Sequence, residues 1–210
     1  MTLKDAPDQF HTNARHSWKK AVKQCQGDIL VFSPYLTSGV AESMMIDGTK
    51  AQVHTVFDVE NFASGASSLR TLRALIKTGH ELYHVPGLHA KVVLDRRGFV
   101  SIGSQNITKG GLRNRGVSAT FHTDDAAGDV FKRVGPRMKE RVPITAEMIN
   151  EMEALFEPAQ VLLEQAQTRA AELQRVFDEA QEVQAKAEQE RQRLEDEERN
   201  LQRSVEEERA

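Results

Sequence analysis

The stretch that decides the fold is HAKVVLDRRGFVSIGSQN, residues 89–106. Its first half is apolar and β-branched, and period-two alternation places His89 and Lys91 on the same face of a strand. Its second half is again strand-like and ends in a kink of small residues at Gly103-Ser104. The basic turn Arg96-Arg97-Gly98 between the two halves predicts that they pair as a β-hairpin.

The predicted register of this hairpin places Lys91 opposite Ile102 and His89 opposite Ser104. It would gather an imidazole, an ammonium group, a hydroxyl and the carboxamide of Asn106 at one end of the ribbon. Such groups suit phosphodiester chemistry, because a lysine and neutral donors stabilise the charged oxygens. A histidine can attack phosphorus while a second histidine protonates the leaving oxygen. The same residues also fit a buried hairpin with a polar end.

The pattern H-x-K, followed after a short gap by G-S-x-N, resembles the motif of the phospholipase D superfamily. Members of that superfamily cut phosphodiesters in lipids or nucleic acids. The two halves of the motif stand at residues 89–91 and 103–106. The resemblance implies His89 as the nucleophile, Lys91 and Asn106 as phosphate ligands, and Ser104 as the residue that orients the histidine.

The chain departs from the superfamily pattern at two places. The motif aspartate usually falls five residues after the lysine, where this chain has Arg96, and Asp95 stands one place early. Many relatives also carry an acidic residue after an Asn-Arg pair that follows the second half of the motif. This chain reads Asn114-Arg115-Gly116 there. A phosphate-binding pocket without turnover is therefore an alternative to an active enzyme.

Further candidate substrate-binding residues flank the motif. Lys109, Arg113 and Arg115 follow it in and after a Gly-rich turn, so we expect them to crowd near the phosphate pocket. The predicted buried strand that begins near Ile29 runs into Ser33-Pro34-Tyr35. In the resembled superfamily a similar turn borders the active site, which implies Ser33 at the rim. A helix-initiating turn is the alternative interpretation.

Charge is divided unevenly along the chain. Residues 1–142 contain 20 Lys and Arg against 13 Asp and Glu, whereas residues 143–210 contain 8 against 18. A basic first part and the lack of a membrane-binding amphipathic element favour DNA or RNA as the partner over phospholipid. No apolar run approaches the ~20 residues of a membrane span, and the first residues lack the apolar stretch of a secretory signal. We therefore expect a cytoplasmic protein that does not bind membranes.

Metal and cofactor chemistry is not indicated. The spacing of His80, His84 and His89 is superficially that of metal ligands, but a glycine and a Pro-Gly pair around them exclude a single helix. The single cysteine, Cys25, excludes an intramolecular disulfide and a four-cysteine site. We expect neither a metal ion nor a cofactor.

Two parts are predicted along the chain. Residues 1–142 alternate between strands and helices, which indicates an α/β domain with a mixed β-sheet flanked by helices. The pattern of residues 143–210 predicts a helical extension, in which Pro158 separates a short helix from a long one. A heptad-like seam favours a coiled coil, although a solvated single helix is the alternative. Its apolar positions are Leu155, Ala159, Leu162, Ala166, Leu173, Phe177, Ala180, Ala187, Leu194, Leu201 and Val205.

The predicted mechanism needs two histidine-lysine sets, yet the chain contains one H-x-K. Single-motif relatives in the resembled superfamily form dimers in which two motifs meet across a twofold axis. We therefore expect a homodimeric nuclease, formed through the α/β domains, whose shared site holds both copies of His89. One copy would act as nucleophile and the other as general acid. The alternatives are an inactive nucleic-acid-binding or assembly module of the same fold, and a phospholipid phosphodiesterase.

Overall fold

The computed structural model describes residues 6–25, 29–37, 39–45, 50–113 and 116–208. The side chains of residues 157–161, 163–164, 167, 201–202 and 204–208 lie outside the description. The chain divides into two compact units, Met1–Phe156 and Glu157–Ala210. The predicted boundary after Val142 falls earlier than this division, because the first turns of the C-terminal helix pack into the core of the first unit through Ile149 and Phe156.

One mixed sheet of eight strands organises the described part of the first unit. The strands are β1 (Gln9–His11), β2 (Ile29–Phe32), β3 (Ala51–Thr55), β4 (Glu81–His84), β5 (Val92–Asp95), β6 (Phe99–Gly103), β7 (Ser118–Phe121) and β8 (Val142–Pro143). Their spatial order is β1-β7-β6-β5-β2-β3-β4-β8. The pairs β2-β3 and β3-β4 are parallel, and the other neighbours are antiparallel.

Helices cover both faces of this sheet. They are α1 (Arg15–Gln24), α2 (Ala41–Met45), α3 (Val59–Ala63), α4 (Leu69–Lys77), α5 (Lys109–Arg113), α6 (Asp124–Val134) and α7 (Ala146–Glu208), with a 3₁₀ helix at Gly135–Glu140. Trp18, Met44 and Leu72 bury the apolar sides of α1, α2 and α4 in one core, and Val130 of α6 lies in the other. The predicted α/β class, with a mixed sheet between helices, is confirmed.

The hairpin forms as predicted, but the predicted register is wrong by one residue. Val92, instead of Lys91, pairs with Ile102, and Asp95 pairs with Phe99. The turn is the cause. It holds three residues, and Gly98 adopts a φ of +119°, a conformation that a residue with a side chain rarely takes.

The carboxylate of Asp95 stabilises this three-residue turn. It accepts a hydrogen bond from the main-chain N–H of Arg97 at 3.0 Å, and the carbonyl oxygen of Asp95 accepts one from the N–H of Gly98 at 3.2 Å. At the other end of the hairpin, the N–H of Gly103 donates to the carbonyl oxygen of Lys91 at 3.3 Å. The hairpin therefore carries Lys91 beside Gly103, and His89 is not opposite Ser104.

Helix α7 is continuous from Ala146 to Glu208, so the predicted interruption at Pro158 is wrong. A proline removes one N–H donor from a helix, and the good helix formers on either side maintain the helical path. Beyond Phe156 every described side chain is exposed, including Leu162 at 68%, Leu173 at 71% and Phe177 at 58%. Within the described residues, no helix has the length and apolar character needed to cross a bilayer.

Candidate active site

The topology brings the two halves of the motif to one edge of the sheet. Strand β5 runs antiparallel to both β2 and β6, so the start of β5 lies beside the ends of β2 and β6. The residues just before β5 and just after β6 therefore share that edge. These residues include His89 and Lys91 on one side and Ser104 and Asn106 on the other. We call this set of four the motif edge.

His89 and Lys91 lie in the extended segment that leads into β5. His89 is exposed, whereas Lys91 is half-buried. The Lys91 Nζ donates a hydrogen bond to the carbonyl oxygen of His89 at 2.8 Å, which holds the ammonium group beside the histidine. Partial burial lowers the pKa of Lys91, because it removes water from the charged form. An incompletely hydrated ammonium group is well suited to bind a phosphate oxygen.

Ser104 is held by Val117, the residue before strand β7. Its N–H donates to the carbonyl oxygen of Val117 at 2.9 Å, and its Oγ accepts from the N–H of Val117 at 3.0 Å. The close approach depends on Gly103, where a Cβ would lie 2.2 Å from the Val117 oxygen. The described hydrogen bonds of Ser104 are to main-chain groups and not to the imidazole of His89.

Asn106 lies between the end of β6 and helix α5. Its Oδ1 is buried and has no hydrogen-bond partner among the described residues. Helix α5 packs directly on its main chain, because a Cβ on Gly111 would lie 2.4 Å from the Asn106 oxygen. Only glycine allows this approach. Because Oδ1 is an acceptor, the Nδ2 group of this carboxamide is the one that could donate to a phosphate oxygen.

Ser33 is fully buried directly after β2. Its Oγ donates to the carbonyl oxygen of Tyr35 at 2.8 Å and accepts from the N–H of Ile107 at 3.1 Å. These bonds tie the end of β2 to the residue that follows Asn106. The structure therefore places Ser33 beneath the motif edge, where it can position Asn106 instead of facing solvent.

The predicted basic residues after the motif begin at helix α5. Lys109 and Arg113 are its first and last residues, and both are exposed. The N–H of Lys109 donates to Thr37 Oγ1 at 3.0 Å, which joins α5 to the segment after β2. Arg115 lies outside the described residues. Lys109 thus stands three positions after Asn106 and close to the motif edge.

Gln105 is a positioning residue that the sequence did not single out. It is buried, and its Oε1 accepts from the N–H of Ala14 at 3.2 Å and from Ser118 Oγ at 2.9 Å. Its Nε2 donates to the carbonyl oxygen of Thr12. Gln105 therefore fixes the motif edge to the segment before α1. The alternation Ser104-Gln105-Asn106 could have indicated an inward Gln105, but its partners are distant in sequence.

The described residues contain no group of three or more His, Cys, Asp and Glu side chains arranged to hold a metal ion. The groups that the motif edge does present are an imidazole, an ammonium, a hydroxyl and a carboxamide. This donor set can bind and attack an anionic phosphorus centre directly.

Comparison with solved structures identifies the architecture. Nuc from Salmonella typhimurium, a phospholipase D family member, aligns with a TM-score of 0.54 and 16% identity, over 66% of this chain and 97% of Nuc. NucT from Helicobacter pylori aligns over 62% of this chain and 91% of its own, with 11% identity and a TM-score of 0.46. Phosphatidylserine synthase from Haemophilus influenzae Rd KW20 aligns over 71% of this chain and 41% of its own, with 14% identity and a TM-score of 0.49.

This chain has the phospholipase D fold. At 16% identity the likeness to Nuc concerns the architecture, and it agrees with the resemblance that the motif predicts. No protein-family profile and no curated protein matches the sequence.

The two departures from the phospholipase D pattern have different surroundings. Asp95 lies at the turn end of β5, four residues from Lys91, a separation of about 13 Å along an extended strand. The one-place displacement of this aspartate in the sequence therefore affects the hairpin turn and does not alter the motif edge. Gly116 lies against the motif edge, because a Cβ there would be 3.0 Å from both Ser104 Oγ and Gln105 Cγ. An acidic side chain at residue 116 would need these groups to move by a few tenths of an ångström.

Proposed function

We propose that this chain is a metal-independent phosphodiesterase, a homodimeric nuclease that cleaves DNA or RNA through a phospho-histidine intermediate at His89. The observation that carries the proposal is the exposed His89 two residues before the half-buried Lys91, whose ammonium group donates to the main-chain oxygen of His89, on the edge that also holds Asn106. The phospholipase D fold of the α/β unit supports it.

The reaction has two steps. A ring nitrogen of His89 attacks phosphorus, a P–N bond forms and the P–O bond to the leaving group breaks, while a second imidazolium donates its proton to the leaving oxygen. Water then attacks phosphorus, transfers its proton to that second imidazole and releases His89. Lys91 and Asn106 hold the non-bridging oxygens through both steps, which stabilises the charge that develops there.

The second imidazole is that of His89 in a second copy of the chain. Because a twofold contact repeats the same surface on both partners, two motif edges that meet would supply two imidazoles and two ammonium groups. Helix α7 supports such an assembly, since its apolar residues Leu162, Leu173 and Phe177 are exposed at heptad-like spacing. A coiled coil of two α7 helices would raise the local concentration of the α/β units.

The charge distribution favours a nucleic acid as substrate. The excess of basic over acidic residues lies in residues 1–142, which include the motif edge. Lys109 and Arg113 add exposed positive charge directly after Asn106. A polyanionic strand gains from each such contact through the release of counterions.

A second candidate function, a nucleic-acid-binding module without turnover, is favoured by Gly116. Many phospholipase D relatives carry an acidic residue at this point, and here the position has no side chain beside Ser104. Such a module would retain Lys91 and Asn106 as phosphate ligands and would bind nucleic acid without cutting it.

The test is incubation of the purified chain with labelled single- and double-stranded DNA and RNA in excess EDTA, beside a His89→Ala control. The proposal expects cleavage by the wild type and none by the variant. Tight binding with no cleavage of any strand would instead support the inactive module. Hydrolysis of phospholipid vesicles without cleavage of nucleic acid would support a lipid phosphodiesterase.

The shared site has its own test. Heterodimers of wild-type and His89→Ala subunits, purified through two different affinity tags, should be inactive because each catalytic event uses both histidines. Retention of half the wild-type activity in these heterodimers would show that each subunit acts alone.

A further inference from the structure

A cavity of about 400 Å³ lies on the Lys109 side of the motif edge. Its lining combines aromatic and aliphatic side chains with hydroxyls and one ammonium group. The lining residues that matter here are Thr37, Phe62, Ser67, Leu69, Lys109 and Phe156. Its volume is in the range of pockets that hold small organic groups. None of the phosphodiester chemistry described above uses this cavity, except that Lys109 belongs to both regions.

Main-chain contacts place the cavity within reach of a substrate at Asn106. Leu36 forms a parallel bridge with Ile107, the residue after Asn106. On its other side, the N–H of Leu36 donates to Ser67 Oγ at 3.2 Å. Because neighbouring extended segments lie about 4.8 Å apart, Ser67 is about 10 Å from the segment of Ile107. The neighbouring nucleotide of a strand bound at Asn106 can span this separation.

The apolar wall of the cavity is aromatic. Phe62 is buried and Phe156 is half-buried, and their rings meet edge to face with centroids 6.4 Å apart. Phe57 supports Phe62 from behind in a second edge-to-face contact at 5.2 Å. The wall is thus braced by the core, and a rigid aromatic surface loses little conformational entropy when a flat ring packs on it.

The polar side of the cavity can donate hydrogen bonds. Thr37 Oγ1 accepts the N–H of Lys109, and Ser67 Oγ accepts the N–H of Leu36. Each hydroxyl therefore keeps its own hydrogen to donate. A nucleobase offers a flat π-surface together with acceptor atoms on its edge, so it matches both sides of the cavity. An acyl chain would leave the hydroxyls without partners.

We propose that this cavity binds the base of the nucleotide next to the scissile phosphate, with the base against Phe156 and its phosphate on Lys109. This inference rests on the proposed nuclease function and deepens it. It makes the base, and not only the phosphate backbone, part of substrate recognition. Base contacts beside the cut would favour single-stranded substrates, because paired bases are not available to the cavity.

The test measures binding to the full chain carrying His89→Ala, in EDTA, so that nothing is cleaved. Two labelled strands are compared: a five-nucleotide oligothymidylate and a strand of the same length with abasic sugars throughout. Phe156→Leu should weaken binding of oligothymidylate about tenfold and leave the abasic strand unchanged, since stacking on one aromatic ring is lost. Phe156→Tyr retains the ring and should retain the affinity.

Phe131→Leu is the matched control, because Phe131 is also a half-buried helical phenylalanine but packs under Arg96 on the opposite face of the sheet. It should change neither affinity. Thermal melting of each variant checks that it is folded. Equal weakening of both strands by Phe156→Leu, or no weakening of either, would overturn the proposal. The proposal would also be overturned if Phe156→Leu weakened only the binding of phosphatidylglycerol vesicles. That result would indicate that the cavity binds an acyl chain.

The experiments can distinguish a failure of the proposed function from a failure of this inference. If wild-type chain cleaves nucleic acid but shows no preference for strands with bases, the nuclease stands and the base pocket is wrong. If it prefers strands with bases and never cleaves, the base pocket stands and the catalytic proposal is wrong.

Discussion

Two histidines of the first unit lie in contrasting surroundings. His54, in β3, is fully buried, and its ring stacks on Phe32 at 4.4 Å and on Tyr83 at 5.3 Å. Arg141 extends the column, with its guanidinium 4.0 Å above the Tyr83 ring and its Nη1 3.4 Å from His54 Nε2. His89, at the motif edge, is exposed and lies three residues before the first residue of β5.

The difference shows which imidazole is available for chemistry. Burial lowers the pKa of His54 to about 4, and the Arg141 charge adds to this effect, against the hydrogen bond to the Val31 oxygen. His54 is therefore neutral at ordinary pH and serves packing. His89 is exposed, and the Lys91 ammonium group is held at its main-chain oxygen. The comparison supports the proposal that His89 is the reactive residue, and it gives His54 a structural role.

The largest expected effect is that of His89→Ala on activity. Loss of a nucleophile should lower kcat by at least about 10³-fold. Because the side chain is exposed, the free energy of unfolding should change by less than about 0.5 kcal/mol. Nuclease assays in EDTA and urea unfolding measure the two quantities. His16→Ala, at an exposed position of helix α1, is the matched control and should leave both unchanged.

Lys91→Ala should lower kcat by about 10²- to 10³-fold, since it removes one cationic partner of the developing charge. The lowered pKa of Lys91 also predicts how phosphate binding depends on pH. Binding of nucleic acid to the His89→Ala chain, which lacks the imidazoles of the mechanism, should weaken as pH rises through that pKa, below the usual 10.5, because only the protonated amine holds the phosphate. Lys91→Arg in the same background stays charged and should remove this weakening. Weakening that persists in the double variant would assign it to another group.

His54 should make the fold sensitive to acid. The unfolded chain binds a proton near pH 6.5 and the folded chain near pH 4, so stability falls as pH drops through this window. The loss amounts to about 3 kcal/mol. Urea unfolding at several pH values measures it, and His54→Phe, which can retain the stack without titrating, should flatten the dependence. An unchanged slope in His54→Phe would contradict the buried neutral imidazole, whereas His16→Gln should leave the slope as it is.

The smallest expected effect belongs to Asp95→Ala. It removes the acceptor for the Arg97 N–H and should lower the free energy of unfolding by about 1 kcal/mol. Because Asp95 lies at the turn end of β5, kcat should change by less than about twofold. Asp95→Asn keeps an acceptor oxygen and is the control. A large loss of activity in Asp95→Ala with normal stability would place this residue in the active site after all.

Local patterns were sufficient to predict much of this molecule. The alternation before Asp95 and the small residues at Gly103-Ser104 predict the hairpin, because period-two patterning and turn residues act over a few positions. The strand-helix order likewise predicts the α/β class. The register is wrong because it depends on one residue of turn length, which the composition of Arg96-Arg97-Gly98 leaves undecided.

The remaining features depend on residues that are distant in sequence. Gln105 is fixed by Ala14, 91 positions earlier, and no periodicity indicates that contact. Ser33 is expected at the rim of the site, but in the structure it is buried, because its hydroxyl accepts a hydrogen bond from the N–H of Ile107. The cavity beside Lys109 needs Phe156 of α7, which the sequence assigns to a separate extension. Tertiary packing, not local propensity, decides all three.

The most direct test of the central claim is to trap the covalent intermediate. The chain is mixed with DNA or RNA in excess EDTA, quenched within milliseconds into alkaline denaturant, digested and examined by mass spectrometry. The account predicts a phosphoryl-linked nucleotide on His89 that disappears as the substrate is consumed. Cleavage without any adduct on His89, or an adduct on a different side chain, would contradict it.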